Sequence, residues 1–406
     1  MSVSSFVSPV IDAFGAESTT NTTEIELIES LARRYGAPFL MLDCDIVRRQ
    51  YHALKEALPG VVLHFALKPL PHPAVVSTLL AEGASFDLAT TGEVELVQSL
   101  NVPADKTIHT HPIKRDRDIR DALDYGCTVF VVDNINELEK FVAYRDQAEV
   151  LVRLSFRNPN AVSDLSKKFG CTEQGAYAII ARAFELGIKV KGLSFHVGSQ
   201  TLDADKYVHA INRCDAVIRG VSSQGLPALE VLDIGGGFPV SYDDTDVNIY
   251  SFCAPIREAL AQLPATVNVI AEPGRFIVAP AMTSVASVMG QAERDGETWY
   301  YLDDGIYGSF SGILFDHGHY PVDALYWQGE RFPSVLAGPT CDSIDVIAET
   351  IMLPKLNNGD LIVGRMMGAY TSATATEFNF FKKAQIIVLN EFVRDESLAP
   401  VVALEI

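Results

Sequence analysis

The chain has 406 residues, 48% of them hydrophobic and 21% charged, with 32 Lys and Arg against 52 Asp and Glu for a formal net charge of −20. This composition excludes disorder, and no apolar run reaches the ~20 residues of a membrane span. The acidic balance argues against a nucleic-acid partner, which wants a basic face, and suits a small cationic substrate.

The first 24 residues lack the basic and apolar regions of a secretory signal and read as a loosely docked tail. The six cysteines, Cys44, Cys127, Cys171, Cys214, Cys253 and Cys341, are scattered without a CxxC. They suggest no zinc site and no disulfide framework, and a reducing, cytoplasmic compartment fits them. A strand is predicted at 38–42 (PFLML) and an amphipathic helix at 44–58. Strand-like runs follow at 61–67, 85–89, 107–110, 128–132, 150–154, 190–196, 229–234 and 268–271. Helical patterns fill the gaps at 73–82, 93–100, 115–125, 135–144, 173–186, 204–220 and 249–262. Eight buried-type strands joined by helical crossovers predict a parallel (β/α)8 TIM-like barrel, with 44–58 as the eighth helix. An open doubly wound sheet is the alternative. After 276 the helical rhythm stops, and 276–288, 298–303, 344–352, 360–363 and 384–389 read as strands. The expected organisation is an N-terminal segment, 1–43, packing partly with the β domain, a barrel, 44–275, and a C-terminal β-barrel or sandwich domain, 276–406.

Barrel chemistry sits at the C-terminal strand ends. Those ends carry Lys68, Asp87, Arg153, His196, the triplet Gly235-Gly236-Gly237, and Glu272-Pro273-Gly274-Arg275. Lys68, ending the apolar run HFALK, reads as a partly desolvated Schiff-base lysine, against the ordinary reading of a lysine that snorkels to water. The three glycines leave amides free to cradle an anion, and they lack the GxGxxG spacing of a dinucleotide site. Arg275 can clamp a phosphate, and Glu272 can hold a pyridinium nitrogen protonated. His196 can lie flat against a cofactor ring, with Ser199 on its phosphate. In the β region Cys341, in GPTCD, is a candidate proton donor, and Asp316 lies in the loop LFDHGH. Each of these alone has a plain structural reading. The His109-Thr110-His111 pair lacks a third ligand, so no metal is expected.

Taken together the motifs FALK, FDLAT, HVGS, DIGGGFP, AEPGR, YLDDGIYGSF, FDH, GPTCDSID and GAYT resemble the fold-type III pyridoxal-phosphate decarboxylases, nearest to the ornithine decarboxylase branch. The resemblance runs from about Pro38 to about Phe381. It implies an alanine racemase-like fold and a pyridoxal 5′-phosphate cofactor bonded to Lys68. His196 would stack on the ring and Glu272 would meet its nitrogen. Ser199, Gly236, Gly237, Gly274, Arg275 and Tyr370 would hold the phosphate, with Asp87 and Arg153 supporting the lysine. Cys341 would reprotonate the substrate carbon. Asp316 and Asp342 would take a distal amine, beside Phe315 and Phe378. The resemblance also implies a homodimer with shared active sites, in which Cys341 and Asp342 reach into the partner's barrel.

The implied reaction is decarboxylation of L-ornithine to putrescine, in polyamine biosynthesis. L-Lysine is the nearest rival, alone or in a bifunctional enzyme, ahead of diaminopimelate and arginine. An inactive regulator resembling the antizyme inhibitors is the non-enzyme alternative. The chain departs from the family at Pro69-Leu70-Pro71, where Ala-Asn or Cys-Asn commonly follows the lysine, and at Phe315, where tyrosine is common.

Overall fold

The computed structural model describes residues 22–157, 165–243, 247–326 and 329–390. Most of the expected N-terminal tail, 1–21, and the end of the expected β domain, 391–406, lie outside them. The described residues form two compact units, one of 46–241 and 247–278, the other of 22–45, 242–243 and 279–390.

A helix, α1 (Thr22–Tyr35), and a strand, β1 (Phe39–Leu42), come first. Helix α2 (Cys44–Ala57) then leads into β2 (Val62–Ala66), α3 (Pro73–Ala81), β3 (Ser85–Leu88), α4 (Thr91–Ser99) and β4 (Thr107–His109). The alternation continues through α5 (Asp116–Tyr125), β5 (Val129–Val132), α6 (Ile135–Glu139), β6 (Glu149–Arg153), α7 (Glu173–Leu186) and β7 (Lys189–Ser194). It ends with α8 (Asp205–Ser223), β8 (Val231–Asp233), α9 (Ile249–Leu260) and β9 (Asn268–Ala271). Strands β2 to β9 are parallel and close on themselves, β9 pairing back to β2. The predicted (β/α)8 barrel is therefore the fold of this unit.

Local chemistry sets the element ends. Thr90, Asn134 and Thr172 accept the amides of Glu93, Glu137 and Gly175, starting α4, α6 and α7. Helices α5 and α7 stop at Gly126 and Gly187, both left-handed. Gly192 in β7 is obligatory for another reason: a Cβ there would lie 1.9 Å from the Val231 carbonyl of β8.

Ile108, Val131, Leu151, Val231 and Ile270 come from five different strands and form one cluster, which fills the barrel interior. Side chains alternate across a strand. Two residues beyond Leu151, Val231 and Ile270 stand Arg153, Asp233 and Glu272, so these point inward one layer above the apolar cluster. Asp87 pairs with Ile108, and Ser194 pairs with both Arg153 and Asp233, which places them inward too. The barrel thus has an apolar floor and a polar rim.

The second unit is a mixed sheet of β10 (Met282–Arg294), β11 (Glu297–Leu302), β12 (Val322–Ala324), β13 (Phe332–Ala337), β14 (Val346–Leu353), β15 (Leu361–Gly364) and β16 (Gln385–Val388). Its order is β12-β15-β10-β11-β13-β14, with β1 between β10 and β16. One cluster, including Val288, Tyr300, Leu302 and Leu336, packs one part of it. Another joins Ile28 and Leu31 of α1 to Phe39 and Val285. The run 276–288 is not one strand: it starts inside helix α10 (Arg275–Val278), passes a 3-10 turn and becomes extended only at Met282. Gly274 nucleates that turn, its carbonyl accepting the Ile277 and Val278 amides at 3.0 and 3.3 Å. The run is buried on all sides, so its apolar pattern carries no period.

One ion pair is fully enclosed in the barrel unit. Lys114 Nζ lies 3.2 Å from Glu137 Oε1, with both side chains 1% exposed, and it donates to the Val131 and His111 carbonyls. Glu137 also accepts the Lys114 amide and the Lys140 ammonium. Removing one partner of such a pair strands the other charge. Glu137→Ala should therefore lower unfolding stability by roughly 3–5 kcal/mol in urea titration. The double replacement Lys114→Met/Glu137→Leu should cost less, and a loss equal to that of the single variant would refute the account.

Candidate active site

The barrel rim collects the ionisable residues that the sequence singled out there. Lys68 follows β2, held in place by the bond from the Leu67 amide to the Asp87 carbonyl, 3.3 Å, and from the Leu70 amide to the Leu67 carbonyl, 3.0 Å. Lys68 is exposed rather than partly desolvated, which corrects the reading from the apolar run before it. What surrounds it is carboxylate: its ammonium acts electrostatically on Asp87, Glu93 and Glu272. The proline that departs from the family pattern has a packing role. Its ring lies over Gly274, where a Cβ would come within 2.6 Å of Pro69 Cγ.

Asp87 is buried and accepts the Thr110 hydroxyl at 2.5 Å. Burial, and then the charge of Glu272, push its carboxyl well above the usual range. Glu272 is buried as well, and its amide bonds the Gly235 carbonyl at 2.8 Å. Burial and the neighbouring Asp233 raise its carboxyl well above the ordinary value. His196 is buried, and its Nδ1 accepts the Gly198 amide at 3.0 Å, which leaves the ring proton on Nε2. Burial, then the Lys68 and Arg153 charges, keep this imidazole neutral. Arg153 is half-buried with its Nη2 enclosed, its guanidinium 5.6 Å from the Phe169 ring centroid.

The glycine triplet is tied on three sides. Asp233 Oδ1 accepts the Gly235 amide at 2.9 Å, Tyr207 donates to the Gly236 carbonyl at 2.8 Å, and the Thr201 amide donates to the Gly237 carbonyl at 3.0 Å. A Cβ on Gly236 would lie 2.5 Å from the Glu272 carbonyl, so only glycine lets β8 and β9 run this close. Beside it Arg275, buried, donates through Nε and Nη2 to the Ser199 hydroxyl at 3.3 and 3.1 Å.

The remaining site residues of the sequence reading lie on the other unit. Cys341 is exposed, and its amide bonds Asn379 Oδ1 at 3.0 Å. Asp342 Oδ2 accepts the Tyr307 hydroxyl at 2.5 Å, and the Tyr307 ring stacks on Phe378 at 4.5 Å. The Tyr307 hydroxyl holds the Asp342 carboxyl below the usual carboxylate range. Phe315 and Asp316 end a short helix, α11 (Gly312–Phe315). Tyr370 is left-handed at φ 57, with its carbonyl accepting the Thr374 hydroxyl at 2.9 Å.

Four participants escaped the sequence reading. Glu93 sits three residues after Thr90, the spacing of a helix-capping box, but its carboxylate turns to the Ala89 amide at 2.5 Å. Asp233 and Ser194 needed the strand register to be seen as inward. Tyr307 needed the tertiary contact with Asp342.

These residues fit a pyridoxal phosphate. The Gly236 and Gly237 amides with Ser199 and Arg275 suit an anion, whereas the Gly235 amide is taken by Asp233. Below it lie buried carboxyl groups, and Asp233 Oδ2 meets no N–H or hydroxyl donor among the described residues. A protonated ring nitrogen is the cation such a set lacks.

Residues 44–279 match the family model of the pyridoxal-dependent decarboxylases, pyridoxal binding domain. The chain belongs to the pyridoxal-dependent decarboxylases. It is 36% identical over 365 residues to the lysine/ornithine decarboxylase of Selenomonas ruminantium, covering 90% of this chain and 92% of that one. It is 36% identical over 364 residues to the ornithine decarboxylase of Mus musculus, covering 84% and 78%. A lysine/ornithine decarboxylase from Vibrio vulnificus, solved with putrescine and with cadaverine, superposes with a TM-score of 0.88 at 68% identity. The putrescine complex covers 92% of this chain and 99% of its own. The protein is thus a pyridoxal-phosphate-dependent amino-acid decarboxylase of the ornithine decarboxylase branch.

Lys68→Ala tests the cofactor attachment. Reconstituted with pyridoxal phosphate, the variant should lack the visible absorption band of covalently held cofactor, at a wild-type melting temperature. A retained band would move the attachment to another amine.

Proposed function

We propose that this decarboxylase converts L-ornithine to putrescine and CO2, and that L-lysine is its second substrate. The observation that carries the reading is Asp342, an ionised carboxylate fixed by Tyr307 and Phe378 in the residue next to Cys341. A fixed carboxylate suits the distal ammonium of a basic amino acid and repels an acidic one. Lysine is longer by one methylene, worth about 1–3 kcal/mol of discrimination at most sites. The Vibrio vulnificus relative, solved with both diamines, supports the pair of substrates.

In this reading Lys68 is the amine that would hold the cofactor covalently. Gly236, Gly237, Gly274, Ser199, Arg275 and Tyr370 would hold its phosphate, and Glu272 would hold its ring nitrogen. Asp87 and Arg153 set the field around Lys68. His196, neutral by burial, lies against the ring without adding a charge. Pyridoxal phosphate, when bound, supplies an electron sink for the pair left behind by CO2. Cys341 gives its proton to the substrate carbon, and Asp342 with Asp316 keeps the far end of the substrate still while it does so. Phe315 and Phe378 line the same pocket.

We further propose a homodimer in which Cys341 and Asp342 of one protomer complete the barrel site of its partner. Cys341 is exposed, and the segment that bonds its amide carries Phe380, 97% exposed, between two other exposed phenylalanines. A thiol that must deliver a proton away from bulk water needs such a surface covered. All six cysteines are free, which fits the reducing cytoplasm.

CO2 release from L-ornithine, L-lysine, L-arginine and meso-diaminopimelate, assayed side by side, should give turnover with the first two only. Preference between them should stay within about a hundredfold. Preferential turnover of arginine or diaminopimelate would overturn the substrate, and silence on all four would overturn the reading. Tyr307→Phe and Asp316→Ala should each raise KM for ornithine several-fold while pyridoxal phosphate affinity stays within about twofold. A parallel loss of cofactor affinity would move the distal-amine site elsewhere.

A further inference from the structure

The mechanism above uses Asp87, Arg153 and Glu272 from the barrel's polar rim and leaves Asp233 and Ser194 without a task. Both are buried, Asp233 at 0% and Ser194 at 3% exposure. Arg153, Ser194 and Asp233 stand side by side on β6, β7 and β8, in direct register. Among the described residues each has one enclosed polar atom without an ordinary donor or acceptor partner, Arg153 Nη2, Ser194 Oγ and Asp233 Oδ2, while the Asp233 carboxyl also meets that of Glu272. Three such atoms in one row are unusual, because nearly all buried polar groups are paired. Their valences are complementary, a donor, a hydroxyl and an acceptor, the combination that a bridging water can link.

The row ends at Glu272. Ile234 donates to the Ile270 carbonyl at 2.9 Å, and Glu272 donates to the Gly235 carbonyl at 2.8 Å, so β8 and β9 carry the two carboxyl groups inward as neighbours. Asp233 is anchored through Oδ1 to the Gly235 amide at 2.9 Å. Its free edge therefore has one orientation. Both carboxyl groups are raised chiefly by burial, Asp233 to about 6 and Glu272, with the neighbouring Asp233 adding to the effect, well above its ordinary value.

We propose that Asp233 is a positioning residue for Glu272: anchored on the Gly235 amide and braced along the Ser194–Arg153 row, it fixes the Glu272 carboxyl in the orientation that takes up the cofactor's ring nitrogen. The inference rests on the reading of Glu272 as that nitrogen's partner. Asp233 itself touches no cofactor atom in this scheme. The groups facing the pair are Lys68 after β2, Asp87 on β3, Arg153 on β6 and His196 after β7, and Asp233 itself bonds the backbone that carries the glycine turn.

The test measures dissociation constants of full-length apoprotein for pyridoxal phosphate and for its 1-deaza analogue, which has carbon in place of the ring nitrogen. Wild type should favour pyridoxal phosphate by roughly tenfold, the scale of one buried charged hydrogen bond. Asp233→Asn should remove most of that preference by weakening pyridoxal phosphate alone. A structural role would weaken both ligands equally, and that result, or no change, overturns the proposal. Ser194→Ala, a smaller perturbation, should lower the ratio in the same direction if Asp233→Asn fails to fold, and an unchanged ratio there also overturns it. Glu272→Gln separates the two claims. If it leaves the wild-type ratio intact, the reading of Glu272 is wrong. If it abolishes the ratio while Asp233→Asn does not, only the role of Asp233 is wrong.

Discussion

Three buried carboxyl groups crowd one end of this barrel, and the site follows from the cost of putting them there. An ion taken out of water costs several kcal/mol unless it is paired. Asp87, Asp233 and Glu272 have only partial relief: the Thr110 hydroxyl for Asp87, the Gly235 amide for Asp233, and the more distant charges of Lys68 and Arg153. His196 offers none, since burial holds it neutral. On the proposed reading a protonated ring nitrogen in that place would relieve the acids, and the acids would keep it protonated. Affinity and electronic tuning of the cofactor are then one interaction.

The second unit shows what buried acids look like when their work is structural. Asp345 accepts the amides of Ile306 and Thr340, both at 2.9 Å. Asp304 accepts those of Gly305 and Ser309, also at 2.9 Å. Backbone donors reach both oxygens of Asp345 and one of Asp304, and they pin the loops on either side of Tyr307 and Cys341. The difference is informative within a single chain. Asp345 is closed by the backbone at both oxygens, whereas Asp233 in the barrel keeps one oxygen without an N–H or hydroxyl donor among the described residues.

The barrel was legible because eight short apolar runs alternate with helical patterns, and each run ends where a charged or glycine-rich motif begins. Lys68, Asp87, Arg153, His196 and Glu272 could be picked out from those ends alone. Asp233 could not, because VLDI reads as one more buried strand until the register with Ser194 and Ile270 shows which way the aspartate points. Glu93 was hidden behind a capping signature that it only half fulfils. The apolar run from Phe276 misled for the opposite reason: a segment buried on all sides has no period, and Pro273-Gly274 decided its conformation. Lys68 misled through its neighbours, since the residues just before it, 63–67, are buried while its own side chain is exposed.

Substrate choice follows from how little a carboxylate can measure. In the proposed reading Asp342, held by Tyr307, recognises a charge and a distance, and a carboxylate offers no donor to a second carboxylate. A distal amino-acid head would bring its own negative charge toward Asp342 and Asp316, a like-charge contact that costs binding rather than merely failing to add to it. An extra methylene, by contrast, shifts an ammonium by little more than an ångström. A flexible chain absorbs that shift by changing rotamers at about 0.5–1.5 kcal/mol per strained torsion. On the proposed reading, the same geometry would disfavour diaminopimelate and tolerate both ornithine and lysine, with selection by charge rather than by length.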